Sequence, residues 1–157
     1  MTDAERWLTA RGRRRTRRVA AGLARAFGKG PGVGLLLTSP LVRATQTAEV
    51  VAAGLGMDGG VEVLRALGMS DVGAILARVA AWKGPGVLGL VGHEPGLSEV
   101  VLRVLGPGVP WPGMAKSGAV LLGWEPGPQG TLRTGEFRWA LGPKTDGPVT
   151  RVEALWG

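Results

Sequence analysis

Residues 33–38 read VGLLLT, an apolar run that follows a Gly-Pro-Gly turn and leads into SPLVRA at 39–44. A run of this kind, without polar alternation, is typical of a strand that is covered on both faces. The same arrangement returns at 87–92, VLGLVG, which leads into HEPGLS at 93–98. Two apolar strands that each lead into a helix predict a layered α/β fold with a largely parallel sheet.

Apolar periodicity and turn residues predict the remaining elements. They are a helix over 10–27 with Thr9 as its N-cap, a helix from 39 to about 55, a strand over 61–64, a helix from Ser70 to Trp82, a helix over 95–105, and strands over 119–124 and 136–141. The last two strands are expected to join the sheet as an antiparallel pair. Neither a repeat nor a linker divides the chain, so a single domain over 1–157 is expected.

The composition excludes several kinds of chemistry. The chain has 157 residues, one histidine and no cysteine. Disulfide frameworks, His-Cys zinc sites and two-histidine zinc helices are therefore impossible. No apolar run approaches about 18 residues, and the polar start lacks the pattern of an export signal. We therefore expect a cytoplasmic protein with no membrane association.

Positive charge is concentrated near the start of the chain. The net charge is +7, and residues 1–25 contain eight arginines against two acidic residues. Such a balance suggests an anionic partner. Nucleic acid is the less favoured partner, because arginines clustered on one helix are commonly a solvated face and no aromatic residues alternate with them.

Arg43 lies in the first turn of the helix that follows the first apolar strand, with Ser39 as the expected N-cap and Pro40 as the first helical residue. A positive charge there opposes the helix dipole unless an anion lies between the guanidinium and the free backbone N–H groups. Arg43 is therefore either a clamp for phosphate or carboxylate, or a solvated arginine tolerated at a helix start.

His93, the only histidine, directly follows the second apolar strand. Open α/β sheets bind ligands beyond the carboxyl ends of their strands, so His93 and Arg43 are expected at the same sheet edge. One arginine and one imidazole there suit phosphoryl chemistry better than hydride or acyl transfer, with a structural histidine as the alternative. Glu94 is expected to cap the following helix, and Lys116 to be solvated.

Two segments, SPLVRATQTA at 39–48 and VGHEPGLS at 91–98, resemble the histidine phosphatase superfamily. The helix start WLTARGRR at 7–14 resembles that of its short SixA-type phosphohistidine phosphatases, and the resemblance covers about residues 5–142. It implies a three-layer, phosphoglycerate-mutase-like α/β domain with a mostly parallel sheet. It also implies hydrolysis of phosphohistidine in a phosphorylated protein through a phosphohistidine enzyme intermediate, without metal or cofactor. By motif, Arg43 matches a phosphoryl-clamping arginine, and His93 matches the histidine that holds the phosphoryl oxygens.

The family's nucleophilic histidine belongs to an Arg-His-Gly motif at the end of the first strand, and this chain contains no such motif. His93 matches the other histidine, so the resemblance implies that the first strand and the nucleophile are missing. Two expectations follow from the resemblance. Either the natural protein begins further upstream, which we favour because Arg43 and His93 persist, or it is a degenerate, non-catalytic module that binds phosphate or polyanions. In both cases this chain is expected to be inactive.

A missing inner strand is expected to leave a gap in the sheet. The strands on either side would then expose unpaired backbone groups, each of which costs about 1–3 kcal/mol when buried. Residues 149–156, which alternate imperfectly, are the candidate substitute for the missing strand.

Overall fold

The structure, a computed structural model, describes residues 1–156. Its helices and strands are α1 (Ala10–Phe27), β1 (Val33–Thr38), α2 (Val42–Gly54), β2 (Val61–Val63), α3 (Arg65–Met69), α4 (Val72–Ala80), β3 (Val87–Val91), α5 (Gly96–Leu105), β4 (Ala119–Gly123) and β5 (Glu136–Leu141). The first three strands form a parallel sheet in the order β2-β1-β3, and β4 and β5 form a separate antiparallel pair. The predicted α/β class with a mostly parallel sheet is confirmed.

Strand β1 is the centre of the parallel sheet, and its last four residues are buried. Leu35 and Leu37 belong to one core cluster with residues of α4 and α5, namely Val72, Ile75, Val79, Val100 and Val104. Leu36 belongs to a second cluster, with Ala48 and Ala52 of α2. Successive strand residues point to opposite faces, so helices cover both faces of β1, as its unbroken apolar sequence predicts.

Helix α1 has the predicted bounds. The Thr9 side chain accepts a hydrogen bond from the backbone N–H of Gly12 at 2.9 Å, and Gly28 ends the helix with a φ of 56°. The buried side of α1 packs closely on α2, because a Cβ at position 54 would lie only 2.6 Å from the Cβ of Ala20. Glycine at position 54 permits this approach.

Two predicted helix starts are wrong. Helix α2 begins at Val42 with Leu41 at the N-cap position, so Ser39 does not cap it and Pro40 is not helical. The Ser39 side chain is instead buried at the end of β1, where it accepts a hydrogen bond from the backbone N–H of Leu41 at 3.2 Å. Arg43 still lies in the first turn of α2.

The second wrong start concerns the predicted helix from Ser70 to Trp82. Ser70 adopts a left-handed conformation, with a φ of 50°, and ends the short helix α3, which the sequence did not predict. Asp71 caps α4 instead, with its side chain accepting a hydrogen bond from the backbone N–H of Ala74 at 3.2 Å. Helix α3 ends at Met69 and helix α4 begins at Val72. The interval between them is too short for apolar periodicity to show where one helix ends and the next begins.

The expectation that β4 and β5 join the parallel sheet is wrong, because, among the strands of residues 1–156, these two pair only with each other. A cavity of about 1240 Å³ borders both β3 and β4. Every residue of these two strands lines the cavity, together with apolar side chains of α1 and α5. Although β3 is as apolar as β1, all five of its residues are only half-buried. Over the described part of the chain, the second apolar run therefore forms a strand with one free edge.

The C-terminal segment does not fill this cavity. Val149 pairs with Ala140 of β5 through two backbone hydrogen bonds of 2.8 and 2.9 Å. The Trp156 indole N–H donates to the carbonyl of Gly113 at 2.7 Å. None of residues 149–156 lines the cavity, so the substitute strand expected there is wrong. Within residues 1–156, we find no helix with the length and apolarity needed to cross a bilayer.

We predict that Leu37→Ala lowers the free energy of unfolding by about 2–5 kcal/mol, because it opens a void at a side chain that is 1% exposed. Chemical denaturation followed by circular dichroism measures the change. Val63→Ala on β2, where the valine is 56% exposed, is the matched control and should stay within about 0.5 kcal/mol of the wild type. Equal losses in the two variants would contradict the described core.

Candidate functional site

The candidate site lies at the carboxyl edge of the parallel sheet. Thr38 at the end of β1 is in register with Val91 at the end of β3. The pairing extends one residue further, since the backbone N–H of Ser39 donates to the carbonyl of Val91 at 2.9 Å. The two loops that follow these strands therefore leave the sheet side by side, as expected from the sequence.

His93 is oriented by a buried serine. Its Nε2 lies 2.8 Å from Ser39 Oγ, and Ser39 is fully buried. Because Ser39 Oγ also accepts the N–H of Leu41, its position is set by the backbone of the loop that carries Arg43. The contact with Ser39 thus holds the imidazole, which belongs to the loop after β3, next to the loop that leads into α2.

The pKa of His93 is held below its ordinary value of 6.5. Burial of the ring is the largest cause, and the positive charge of Arg43 acts in the same direction, while the charge of Asp3 opposes both. The neutral imidazole is therefore favoured near pH 7. Arg43, Asp3 and His93 all line the same cavity.

Arg43 contacts an anion supplied by the chain itself. Its Nη1 donates to the backbone carbonyl of Asp3 at 2.8 Å, and its Nη2 lies 3.2 Å from Asp3 Oδ2. The hydrogen bond from Arg43 is the largest cause that holds the pKa of Asp3 below its ordinary value. Sequence reasoning missed Asp3, because an acidic residue in a polar chain start carries no pattern of its own.

Glu94 braces the loop next to His93. Its carboxylate accepts hydrogen bonds from the backbone N–H of Ser98, at 2.9 Å, and from the Ser98 hydroxyl. The Trp111 indole N–H donates to the same hydroxyl at 3.0 Å, which ties the loop before β4 to the first turn of α5. These contacts agree with the helix-capping role expected for Glu94 and not with that of a free acid or base.

Basic side chains predominate around the site. Six of them line the cavity against two acidic ones, Asp3 and Glu94. The basic residues are Arg6, Arg11, Arg15, Arg43, Lys116 and Arg138. Lys116 is exposed, as expected. Over the described residues, no three side chains of the types that bind metal ions are close enough to hold one. The charge balance favours an anionic ligand.

Chemically, the site can bind a tetrahedral oxyanion. A guanidinium presents paired N–H donors that match two oxygens of such an anion, and it does not lose its charge at neutral pH. A neutral imidazole can donate one further hydrogen bond. Both side chains predicted from the sequence, Arg43 and His93, are brought together here. The sequence holds no second histidine.

Comparisons with known proteins concern the family and the fold. The model of the histidine phosphatase superfamily, branch 1, matches residues 2–75. The solved structure of the protein histidine phosphatase SixA, complexed with tungstate, is 28% identical, with a TM-score of 0.76 over 90% of this chain and 87% of that one. A SixA structure from Agrobacterium tumefaciens, 22% identical, has a TM-score of 0.70 over 91% of this chain and 87% of that one, and shares the fold.

A curated relative from Picosynechococcus sp. strain PCC 7002, itself an uncharacterised protein, is 41% identical over 101 residues. The match covers 62% of this chain and 58% of that protein, so this chain matches little more than half the length of its relative.

We predict that His93 makes stability depend on pH between 7.5 and 5. Since its pKa is lowered in the folded state, the unfolded state binds more protons as the pH falls below 6.5. The contribution of His93 is complete above pH 6.5 and is lost as the pH falls through the lowered pKa. His93→Gln, which puts a hydrogen-bonding amide in place of the imidazole and cannot titrate, should show a flatter decline in urea midpoint between pH 7.5 and 5. Identical declines would contradict the described environment of the ring.

Proposed function

We propose that the site removes the phosphoryl group from phosphohistidine in a protein substrate, because residues 2–75 match the model of the histidine phosphatase superfamily and the fold is similar to that of SixA. One observation carries the proposal: an arginine and a largely neutral histidine face the same carboxyl edge of a parallel sheet. Phosphoryl transfer depends mainly on positioning and on stabilising charge that spreads over three oxygens. Arg43 and His93 suit that task.

The proposed reaction has two steps. A nucleophilic nitrogen attacks phosphorus while the phosphorus–nitrogen bond to the substrate breaks, and water then releases phosphate from the new phosphohistidine. Arg43 would hold two of the phosphoryl oxygens, and His93 would donate a hydrogen bond to a phosphoryl oxygen as charge develops. Ser39 would keep the ring in place through its 2.8 Å contact with Nε2.

We infer that a further segment supplies the nucleophile, since His93 is the only histidine in the sequence and is assigned to binding. The cavity beside β3 offers a place for it. All five residues of β3 and all five of β4 line this cavity, so a strand placed there would lie along the full length of both.

The walls of the cavity also suit a strand. Neither β3 nor β4 has a hydrogen-bonded neighbour on this side within the part of the chain that is described, and α1 and α5 supply apolar covers. We propose that the active form holds one additional strand here, ending in a nucleophilic histidine near Arg43. Without it, the site would bind phosphate and not hydrolyse phosphohistidine.

We predict that the chain binds tungstate or inorganic phosphate and that Arg43→Ala weakens this binding by roughly 10- to 100-fold, as expected from the loss of charge-assisted hydrogen bonds. Isothermal titration calorimetry measures the affinity. Arg151→Ala removes an exposed arginine that pairs only with Glu153 and serves as the control for net charge. Equal weakening in both variants would contradict the assignment of Arg43.

We also predict that phosphatase activity requires the added strand. Six apolar residues followed by Arg-His-Gly, added upstream of Met1 with a linker that places the motif about 15 to 20 residues before Leu8, should produce release of phosphate from a phosphohistidine protein, whereas the unextended chain should show none. The control replaces the added histidine with alanine. In the extended chain, Arg43→Ala and His93→Ala should each lower turnover by roughly 100- to 1000-fold. Unchanged turnover in either variant would show that the site is assigned wrongly.

A second candidate function, a non-catalytic polyanion-binding module, rests on α1. This helix carries seven arginines and no acidic residue, and none of these arginines forms an ion pair within residues 1–156. Unpaired positive charge of this density binds polyanions in a salt-dependent way. Salt-dependent retention on an immobilised polyanion that survives Arg43→Ala but is lost on Arg14→Glu would favour this function over the phosphatase.

A further inference from the structure

Asp3 lies where an oxyanion would have to bind. The two terminal nitrogens of Arg43 contact its backbone carbonyl and its carboxylate, at 2.8 and 3.2 Å. These are the paired donors that a guanidinium offers to phosphate or tungstate. A ligand cannot use both of them while Asp3 keeps its present position.

A second guanidinium completes this arrangement. Arg6 Nη1 lies 3.4 Å from Asp3 Oδ1, while Arg43 contacts Oδ2, so each carboxylate oxygen has its own arginine. Both arginines line the cavity. The carboxylate of Asp3 therefore lies between two cations, as a bound anion would.

The chain start has a defined conformation that supports this contact. Asp3 begins a short 3-10 turn over Asp3–Glu5, closed by hydrogen bonds of 2.9 Å from the Thr2 backbone N–H and hydroxyl to the Glu5 carboxylate. Glu5 contacts neither Arg43 nor Arg6. The two acidic residues of the turn thus have separate partners.

The contact is also open to solvent. The Asp3 side chain is 67% exposed and that of Arg43 is 32% exposed. Exposed ion pairs are weak because water and salt screen them. An anion with two negative charges can therefore displace the single charge of Asp3 without unfolding any buried structure.

We propose that Asp3 is an internal competitor that sets the affinity of the site for oxyanions. A bound oxyanion takes over Nη1 and Nη2 of Arg43, and the carboxylate of Asp3 moves away. The site would then bind dianions such as phosphate in preference to monoanions, which gain too little to displace Asp3. This inference rests on the proposed function, because it takes Arg43 to be the phosphoryl clamp.

The experiment titrates tungstate into the wild type and into Asp3→Asn, which keeps the shape of the side chain and removes its charge. We expect the dissociation constant to fall roughly threefold, a size typical of the loss of one exposed ion pair. Glu5→Gln is the matched control, since it removes the same charge from the same turn away from Arg43, and it should leave the constant unchanged. In an Arg43→Ala background, Asp3→Asn should no longer improve binding.

The outcomes separate this inference from the proposed function. If Arg43→Ala weakens tungstate binding but Asp3→Asn has no effect, or has the same effect as Glu5→Gln, the role of Asp3 is wrong and the clamp stands. If neither the wild type nor Asp3→Asn binds tungstate, both proposals are wrong.

Discussion

Backbone hydrogen bonds between β1 and β3 hold the two polar loops of this protein at one edge of its sheet. The ladder keeps Thr38 opposite Val91 and extends through Ser39, so the loop before α2 and the loop before α5 begin side by side. Register in a sheet is strict, because a slip of one residue would turn the buried leucines of β1 away from their helices. The geometry of Arg43 and His93 therefore depends on the packing of the core beneath them.

The same sheet ends abruptly at β3. Within residues 1–156, β3 is an apolar strand with apolar helices along the adjoining cavity, the surroundings of an inner strand, but it has a hydrogen-bonded neighbour on one side only. Unpaired backbone groups in such surroundings are costly. In the proposed active form, one additional strand in the cavity that borders β3 and β4 would supply both a ladder partner and a reactive group.

The charged side chains that line the cavity interact with one another and with the neighbouring backbone. Arginines surround the cavity, and the only acidic side chains that line it are engaged, Asp3 with arginines and Glu94 with the first turn of α5. Without a bound anion, the positively charged side chains of the site repel one another. The contact between Asp3 and Arg43 relieves part of that repulsion.

The amino-acid sequence by itself determined the types of all the helices and strands except the short helix α3, the bounds of the helix from Ala10 to Phe27, the parallel class of the sheet and the two junctions that carry Arg43 and His93. These features follow from local periodicity, caps and turns. The sequence did not predict that helices begin at Val42 and Val72. In sequence, the buried Ser39 and the left-handed Ser70 cannot be distinguished from serines that cap a helix.

Only the tertiary structure decided the free edge of β3, the separation of β4 and β5 from the sheet, and the partners of the two site residues. Asp3 and Arg43 are 40 residues apart in sequence, and Ser39 and His93 are 54 apart. No periodicity connects positions at such separations. Their contacts arise because the packed core brings distant loops to one sheet edge, where burial and charge then select the pairs.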